Sequence, residues 1–223
     1  MIKAVILDLD DTLYAFEPLH DEAMERVCEY ACKELGISAQ RFEEAYKFGK
    51  EETKRLLGNV ASCHNRVLYG QKALEYLGVG VVPMSLQMYD IYWGTILEKM
   101  RLRDGVKEFL NRMREHGVKV LICTDLTVHI QHRKIQTLGI ENDIDYLVTS
   151  EEAGREKPSP EIFTLCLEKL GLPAEEVCCI GDSLVRDVEG ARAAGIHAIL
   201  FQSDKPSAKQ FADMAEKILG VQS

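Results

Sequence analysis

The sequence has no hydrophobic run that approaches the length of a membrane span, and its first residues do not resemble a signal peptide. It also lacks an excess of basic residues, because 27 Lys and Arg stand against 36 Asp and Glu, for a net charge of −9. This acidic balance argues against a surface that binds nucleic-acid polymers or anionic membranes. We therefore expect a cytoplasmic protein whose partner is a small molecule.

Paired cysteines are missing as well. The chain has seven cysteines, an odd number, and no two of them form a C-x-x-C motif. Several fall inside predicted helices or strands, where cysteine behaves as a small hydrophobic residue. We therefore expect free thiols in a reducing compartment, not disulfides or a zinc site.

The hydrophobic content is sufficient for one large domain, or for one domain with an insertion, since 46% of the 223 residues are hydrophobic. From about residue 17 to residue 100 the apolar residues recur at helical spacing, without a convincing strand. From residue 102 onward, helices and strands alternate. We therefore predict an α/β fold with a Rossmann-like, doubly wound parallel sheet in residues 1–15 and 101–223. Residues 16–100 should form an inserted α-helical bundle.

Local signals predict several element boundaries. Ser38 is a predicted N-cap, and Gly78 is predicted to end a helix. Residues 78–83 are predicted to form a loop before a helix that begins at about Ser85. Near the end of the chain, one continuous helix is predicted from residue 184 to residue 194.

The first predicted strand ends in a group of carboxylates. An apolar run over residues 4–7 is followed by Asp8, Asp10 and Asp11. A run of this kind, bounded by polar residues, predicts a strand buried on both faces of a parallel sheet. Three neighbouring acids repel one another, and a bound cation would offset that repulsion. Because all the available donors are oxygen atoms, the group suits Mg²⁺.

Polar residues also follow the later predicted strands. Thr124 and Asp125 follow the second strand, Lys157 lies in the loop after the third, and Asp182 follows the fourth. In a parallel sheet these strand ends lie at one edge, where ligands bind. We therefore expect these side chains to converge beside the acids of the first strand.

Taken in order along the whole chain, these motifs resemble those of the haloacid dehalogenase superfamily of phosphohydrolases. The inserted helical segment is similar to the small α-helical cap of that superfamily. Residues 149–154 and 157–163 resemble the subgroup that contains pyrimidine 5′-nucleotidases and N-acylneuraminate-9-phosphatases. The matching motifs are Asp8-Leu9-Asp10-Asp11-Thr12, then Thr124, then Lys157 before Pro158, and finally Gly181-Asp182 with Asp187.

The resemblance implies a phosphatase that hydrolyses the phosphate monoester of a small phosphorylated metabolite. Asp8 would attack phosphorus to form an aspartyl-phosphate, and Asp10 would protonate the leaving oxygen and then activate water. Lys157 would offset the charge of the phosphate, which Thr124 and Asp125 would help to bind.

The resemblance also implies how Mg²⁺ is held. Asp8, Asp182 and the main-chain carbonyl of Asp10 would be the ligands, and Asp187 would support them. The role of Asp11 stays open between a turn residue and a catalytic one.

Other functions stay open at this stage. A phosphomutase of the β-phosphoglucomutase type would share the nucleophile but keep water away from the aspartyl-phosphate. A nucleotide-specific 5′-nucleotidase would differ in its substrate. A non-catalytic phospho-binding domain would share the acids, the Thr and the Lys, but such domains are shorter. The substrate and the choice between monomer and homodimer also stay open.

Four further residues have alternative interpretations. Tyr14 and Phe16 lie where the chain leaves the first motif, and they would either contact substrate or pack at the crossing into the cap. His129 and His132 are predicted to be surface residues of the helix after Asp125.

Overall fold

The computed structural model describes residues 1–202 and 204–220. The chain divides into two compact units, Met1–Ala15 with Arg101–Ser223 (the core unit) and Phe16–Met100 (the helical unit). No helix among the described residues combines the length and the apolar character that crossing a membrane requires. The function of the helical unit as a cap stays a prediction.

The helical unit contains four long helices. Ser38 accepts a hydrogen bond from the Arg41 N–H at the start of the second helix, as an N-cap should. Gly36 and Gly78 follow the first and third helices with φ of 65° and 73°, a left-handed conformation that glycine adopts at little cost. The helices are α1 (Glu17–Leu35), α2 (Ala39–Leu57), α3 (Arg66–Leu77) and α4 (Val82–Lys99).

One predicted boundary in this unit is wrong. Residues 78–83 were expected to form a loop, yet α4 begins at Val82 and holds Pro83 in its first turn. The first turn of a helix accepts proline because its N–H groups have no partner within the helix. Proline therefore marks the start of this helix and not the loop before it.

In the described part of the core unit, five parallel strands form one sheet in the order β3-β2-β1-β4-β5. The central strand β1 is entirely buried and pairs in parallel with β2 on one side and β4 on the other. This arrangement confirms the predicted parallel α/β fold. The strands are β1 (Ala4–Leu7), β2 (Lys119–Thr124), β3 (Tyr146–Thr149), β4 (Val177–Gly181) and β5 (His197–Leu200).

Helices cover the sheet. Alternate residues of the central strands, among them Ile6 and Cys179, form one buried cluster with Phe163 and Ala191 from the helices. A separate aromatic group joins two other helices through Phe211, whose ring centroid lies 6.0 Å from that of Phe109. The core helices are α5 (Val106–Glu115), α6 (Val128–Leu138), α7 (Ser150–Ala153), α8 (Pro160–Leu170), α9 (Gly190–Ala193) and α10 (Ala208–Leu219).

The helix predicted over residues 184–194 has a different form. Leu184–Glu189 is a π-helical segment that leads into the short helix α9. The Ser183 carbonyl accepts from both Asp187 N, at 3.0 Å, and Val188 N, at 3.2 Å, so the first turn is wider than an α-helical one. Such wide turns are frequent at functional sites, and this one carries Asp187.

We predict that Gly49→Ala destabilises the helical unit by roughly 1–3 kcal/mol, because overpacking moves backbone atoms. A Cβ atom at Gly49 of α2 would lie 2.4 Å from the Tyr69 carbonyl oxygen of α3. Urea unfolding followed by the fluorescence of Trp93, the only tryptophan, which is buried in the same unit, measures the effect.

Gly94→Ala is the matched control. Gly94 lies inside α4, and a Cβ atom there would meet nothing within 4 Å. Its replacement should stabilise the protein by about 1 kcal/mol through helix propensity alone. Equal behaviour of the two variants would mean that α2 and α3 do not need this close approach.

Candidate active site

The predicted site residues of the sheet lie at its carboxyl edge. Asp8 comes directly after β1, and its N–H continues the strand pairing by donating to the Ile180 carbonyl at 2.9 Å. Thr124 is the last residue of β2, and Asp182 comes directly after β4. Because β1, β2 and β4 are parallel neighbours, these three residues share one edge of the sheet.

Lys157 is a buried cation at the centre of this edge. Its Nζ lies 2.6 Å from Asp8 Oδ1, 2.5 Å from Asp187 Oδ1 and 3.2 Å from the Cys123 carbonyl oxygen. Burial would lower the pKa of Lys157, but the charges of Asp187 and Asp8 outweigh it and hold the pKa well above its usual value. Lys157 therefore stays ionised and joins two carboxylates from separate segments, Asp8 after β1 and Asp187 in the π-helical turn after β4.

Asp8 is held on both oxygens. Its Oδ2 accepts from the Thr12 hydroxyl at 2.8 Å, and Thr12 in turn accepts from the Asp182 N–H at 3.2 Å. Burial, together with the charges of Asp187 and Asp10, raises the pKa of Asp8 to about 7, although Lys157 opposes the shift. The single ammonium group of Lys157 therefore does not offset the combined negative charge of Asp8, Asp10 and Asp187.

The surplus negative charge fits a divalent cation. Asp8, Asp182 and Asp187 each offer a carboxylate oxygen, and these oxygens lie within 4.8 Å of one another. Burial and the charges of Asp187 and Asp11 raise the pKa of Asp182 to about 6. Oxygen donors under mutual repulsion are the set that a hard cation such as Mg²⁺ prefers. Their roles as metal ligands stay predictions.

Asp10 has a different environment from Asp8. The Nζ of Lys134 lies 2.8 Å from each of its two carboxylate oxygens, and the Tyr14 hydroxyl donates to Oδ1. Burial would raise the pKa of Asp10, but the charge and hydrogen bonding of Lys134 lower it. Hydrogen bonds from Tyr14 and Gln131 lower it further. Asp8 and Asp10 thus have pKa values shifted in opposite directions.

Sequence reasoning missed Lys134, and the sequence holds one signal for it. The residues Ile130, Lys134 and Leu138 follow one another at intervals of four on α6, and all three are buried. A lysine inside an apolar helical stripe is unusual, because lysine is seldom buried without a partner. The pattern indicates a buried ion pair, but it does not identify the acid.

Gln131, also missed, lies one turn before Lys134. Its Nε2 is 2.6 Å from both Thr124 Oγ1 and the Asp125 carbonyl oxygen. The Thr124 hydroxyl is buried, accepts from Gln131 and donates a long hydrogen bond of 3.4 Å to the Asp125 carbonyl. Its predicted contact with a phosphoryl oxygen stays a prediction.

Asp125 anchors the loop that carries Lys157. Its carboxylate accepts from the Lys157 N–H at 3.0 Å and forms an ion pair with Arg186. A carboxylate repels an anion, so any contact of Asp125 with a phosphate would have to come from its main-chain N–H. That contact stays a prediction. The Asp125 side chain links its own loop to the loop of Lys157 and to the segment that carries Arg186.

Asp11 forms part of a tight turn. Its φ is 60°, in the left-handed region that non-glycine residues seldom adopt. Arg103 donates to the Asp11 carbonyl at 2.9 Å, and the Arg103 N–H donates to the Leu13 carbonyl at 2.8 Å. These contacts support the turn role that the sequence left open.

Two histidines, the cysteines and Tyr14 were also singled out by the sequence. His129 and His132 are exposed on α6, as predicted. All seven cysteines are free, also as predicted. Tyr14 donates to Asp10, a contact that neither of its two proposed roles anticipated.

Residues 2–195 match the family model of the haloacid dehalogenase-like hydrolases. The chain belongs to this family. Its relatives include a ribulose-1,5-bisphosphate 5-phosphatase from Halopiger xanaduensis, 39% identical over 96% of this chain and 91% of the relative. A glyceraldehyde 3-phosphate phosphatase from Methanopyrus kandleri is 31% identical over 92% and 86%. The rat N-acylneuraminate-9-phosphatase is 25% identical over 90% and 82%.

A haloacid dehalogenase-like hydrolase of known structure has the same fold. YfnB from Bacillus subtilis, solved with bound magnesium, has a TM-score of 0.68 and 21% identity and covers 92% of this chain and 91% of its own. At that identity the likeness shows the fold alone. The family match and the named relatives confirm the predicted family and the prediction of a phosphatase that acts on a small phosphorylated metabolite.

We predict that Lys157→Met lowers the free energy of unfolding by roughly 3–5 kcal/mol, because it leaves two buried carboxylates without their cation. Urea unfolding in the presence of EDTA measures this without a divalent metal to replace the ammonium group. The double variant Lys157→Met/Asp187→Asn should recover part of the loss, since one of those charges is then gone.

The control is Lys209→Met on α10, where the ion pair with Asp213 is exposed. It should leave the unfolding midpoint unchanged. If Lys157→Met were no less stable than this control, the buried pairing would not hold the site together.

Proposed function

We propose that the chain hydrolyses the terminal phosphate of a small sugar phosphate through an aspartyl-phosphate on Asp8. The observation that carries the proposal is the buried Asp8 carboxylate at the end of the central strand, 2.6 Å from Lys157. Ribulose 1,5-bisphosphate and glyceraldehyde 3-phosphate, which name two relatives, are both sugar phosphates. In both compounds, the phosphate group that the named phosphatase removes is attached to a primary carbon.

In the first half of the proposed reaction, a carboxylate oxygen of Asp8 attacks phosphorus. The bond between phosphorus and the sugar oxygen breaks, and that oxygen takes a proton from Asp10. A primary alkoxide is a poor leaving group, so this proton matters for a sugar phosphate. Lys157 and the Thr124 hydroxyl would stabilise the charge on the phosphoryl oxygens.

In the second half, water attacks phosphorus and transfers a proton to Asp10. The bond between phosphorus and Asp8 breaks, which releases inorganic phosphate and restores the carboxylate. Asp10 therefore donates a proton in the first half and accepts one in the second. The two acids thus have different roles, Asp8 as nucleophile and Asp10 in proton transfer. Their different partners support this assignment, because Asp8 pairs with Lys157 and Asp10 pairs with Lys134.

We propose Mg²⁺ as the cofactor, held by Asp8, Asp182 and the Asp10 carbonyl, with Asp187 in support. When bound, the ion would offset the charge of the substrate phosphate, so that an anionic carboxylate can approach it. The spacing of the three carboxylates supports this set. The helical unit, which carries none of these residues, would supply contacts that discriminate between substrates.

The wild-type protein should release phosphate from glyceraldehyde 3-phosphate or ribulose 1,5-bisphosphate, and Asp8→Asn should lower turnover by more than about 1,000-fold. An amide is not a nucleophile and is a weaker metal ligand than a carboxylate. Phosphate release, measured on protein shown by mass spectrometry to be free of deamidation, tests this.

Asp213→Asn, an exposed acid of α10, is the control and should be fully active. Near-normal turnover by folded, homogeneous Asp8→Asn protein would contradict the role of the nucleophile. A higher kcat/KM for nucleoside monophosphates than for both sugar phosphates would contradict the proposed substrate class and favour a 5′-nucleotidase.

Activity should require Mg²⁺, and Ca²⁺ should inhibit it. Mg²⁺ demands a tight octahedral set of oxygen ligands, whereas Ca²⁺ accepts more ligands and would let Asp8 bind through both oxygens. Turnover after EDTA treatment, followed by titration with each cation, measures the effect. Full activity after exhaustive removal of divalent ions would rule out this cofactor.

A further inference from the structure

Lys134 is a buried cation outside the motifs that define the site. Its side chain has no exposed surface, and its Nζ bonds both carboxylate oxygens of Asp10 at 2.8 Å. Burying a lysine costs several kcal/mol, and a buried ion pair usually stabilises a fold no better than apolar residues would. The pair is therefore poorly explained by stability alone.

The contacts around Asp10 fix the direction of its carboxylate. The ammonium group of Lys134 spans both oxygens, and the Tyr14 hydroxyl donates to Oδ1. Gln131, on the same buried face of α6, bonds Thr124 and the Asp125 carbonyl. One helix thus supports two of the residues to which the proposed reaction assigns roles.

We propose that Lys134 is a positioning residue that holds the Asp10 carboxylate ready to accept the proton of the attacking water. The inference rests on the proposed function, and it concerns the second half of that reaction. There the water oxygen bonds to phosphorus, the bond from phosphorus to Asp8 breaks, and the water proton passes to Asp10. Hydrogen bonds from one ammonium group to both oxygens fix the direction that the carboxylate faces, and that direction decides whether the proton of the water can reach it.

p-Nitrophenyl phosphate isolates this step. Its leaving group is a weak base, so the first half of the reaction needs no proton from Asp10. In Lys134→Met the aspartyl-phosphate should form at the normal rate and break down slowly. Rapid mixing should reveal a burst of about one nitrophenolate per active site, followed by a steady rate about 10-fold or more below wild type.

The steady-state constants give an independent readout. A slower second step lowers kcat and KM together and leaves kcat/KM for p-nitrophenyl phosphate unchanged, because that ratio reports events up to release of nitrophenolate. General damage to the fold would lower the ratio or the burst amplitude instead. Arg133→Met, which removes an exposed basic residue of the same helix, is the matched control and should behave as wild type.

The same experiment on Asp10→Asn separates this inference from the proposed function. A burst with Asp10→Asn, but wild-type behaviour with Lys134→Met, would overturn the role of Lys134 and leave the proposed function intact. Absence of a burst and normal turnover with Asp10→Asn would instead contradict the proposed role of Asp10.

Loss of folding in Lys134→Met would not leave the question open, because the double variant Asp10→Asn/Lys134→Met removes both charges of the buried pair. If Lys134 acts through Asp10, the double variant should turn over at the rate of Asp10→Asn alone. A further loss of about 10-fold in the double variant would show an independent effect of Lys134 and overturn the proposal.

Discussion

The buried ammonium group of Lys157 is the interaction on which the rest of the site depends. It joins Asp8, at the end of β1, to Asp187, in the π-helical turn after β4. Without a cation between them, these two carboxylates would repel each other in a buried place. The lysine itself comes from a loop that the Asp125 carboxylate anchors by accepting a hydrogen bond from the Lys157 main-chain N–H. Charge balance thus organises three separate segments of the chain around one atom.

Two of the three acids of the first motif pair with different lysines, Asp8 with Lys157 and Asp10 with Lys134. Asp8 shares Lys157 with a second carboxylate and has a raised pKa, whereas both oxygens of Asp10 bond Lys134 and the pKa of Asp10 is lowered. Acids two residues apart are thereby prepared for different chemistry, one as the proposed nucleophile and one for proton transfer. The difference comes from partners on α6 and in the loop after α7, and local sequence does not contain it.

Strained backbone surrounds these charges. Asp11 and Leu126 have φ of 60° and 77°, and both lie within two residues of a predicted site residue. A left-handed conformation costs leucine roughly 1–3 kcal/mol. Here the turns bring Thr12 to Asp8 and turn the chain from β2 into α6. Part of the stability of the packed sheet offsets this cost.

The sequence by itself determined the parallel α/β fold, the change of pattern near residues 16 and 100, and the polar groups after the strands. Those features depend on local period and on the shared direction of parallel strands, so spacing along the chain reveals them. Only the tertiary structure decided that Lys134 pairs with Asp10, that Asp125 anchors Lys157 and that the turn at Asp187 is wide. The Lys134 pair joins residues 124 positions apart. The helical spacing indicates that Lys134 is buried, but nothing in the neighbouring sequence identifies Asp10 as its partner.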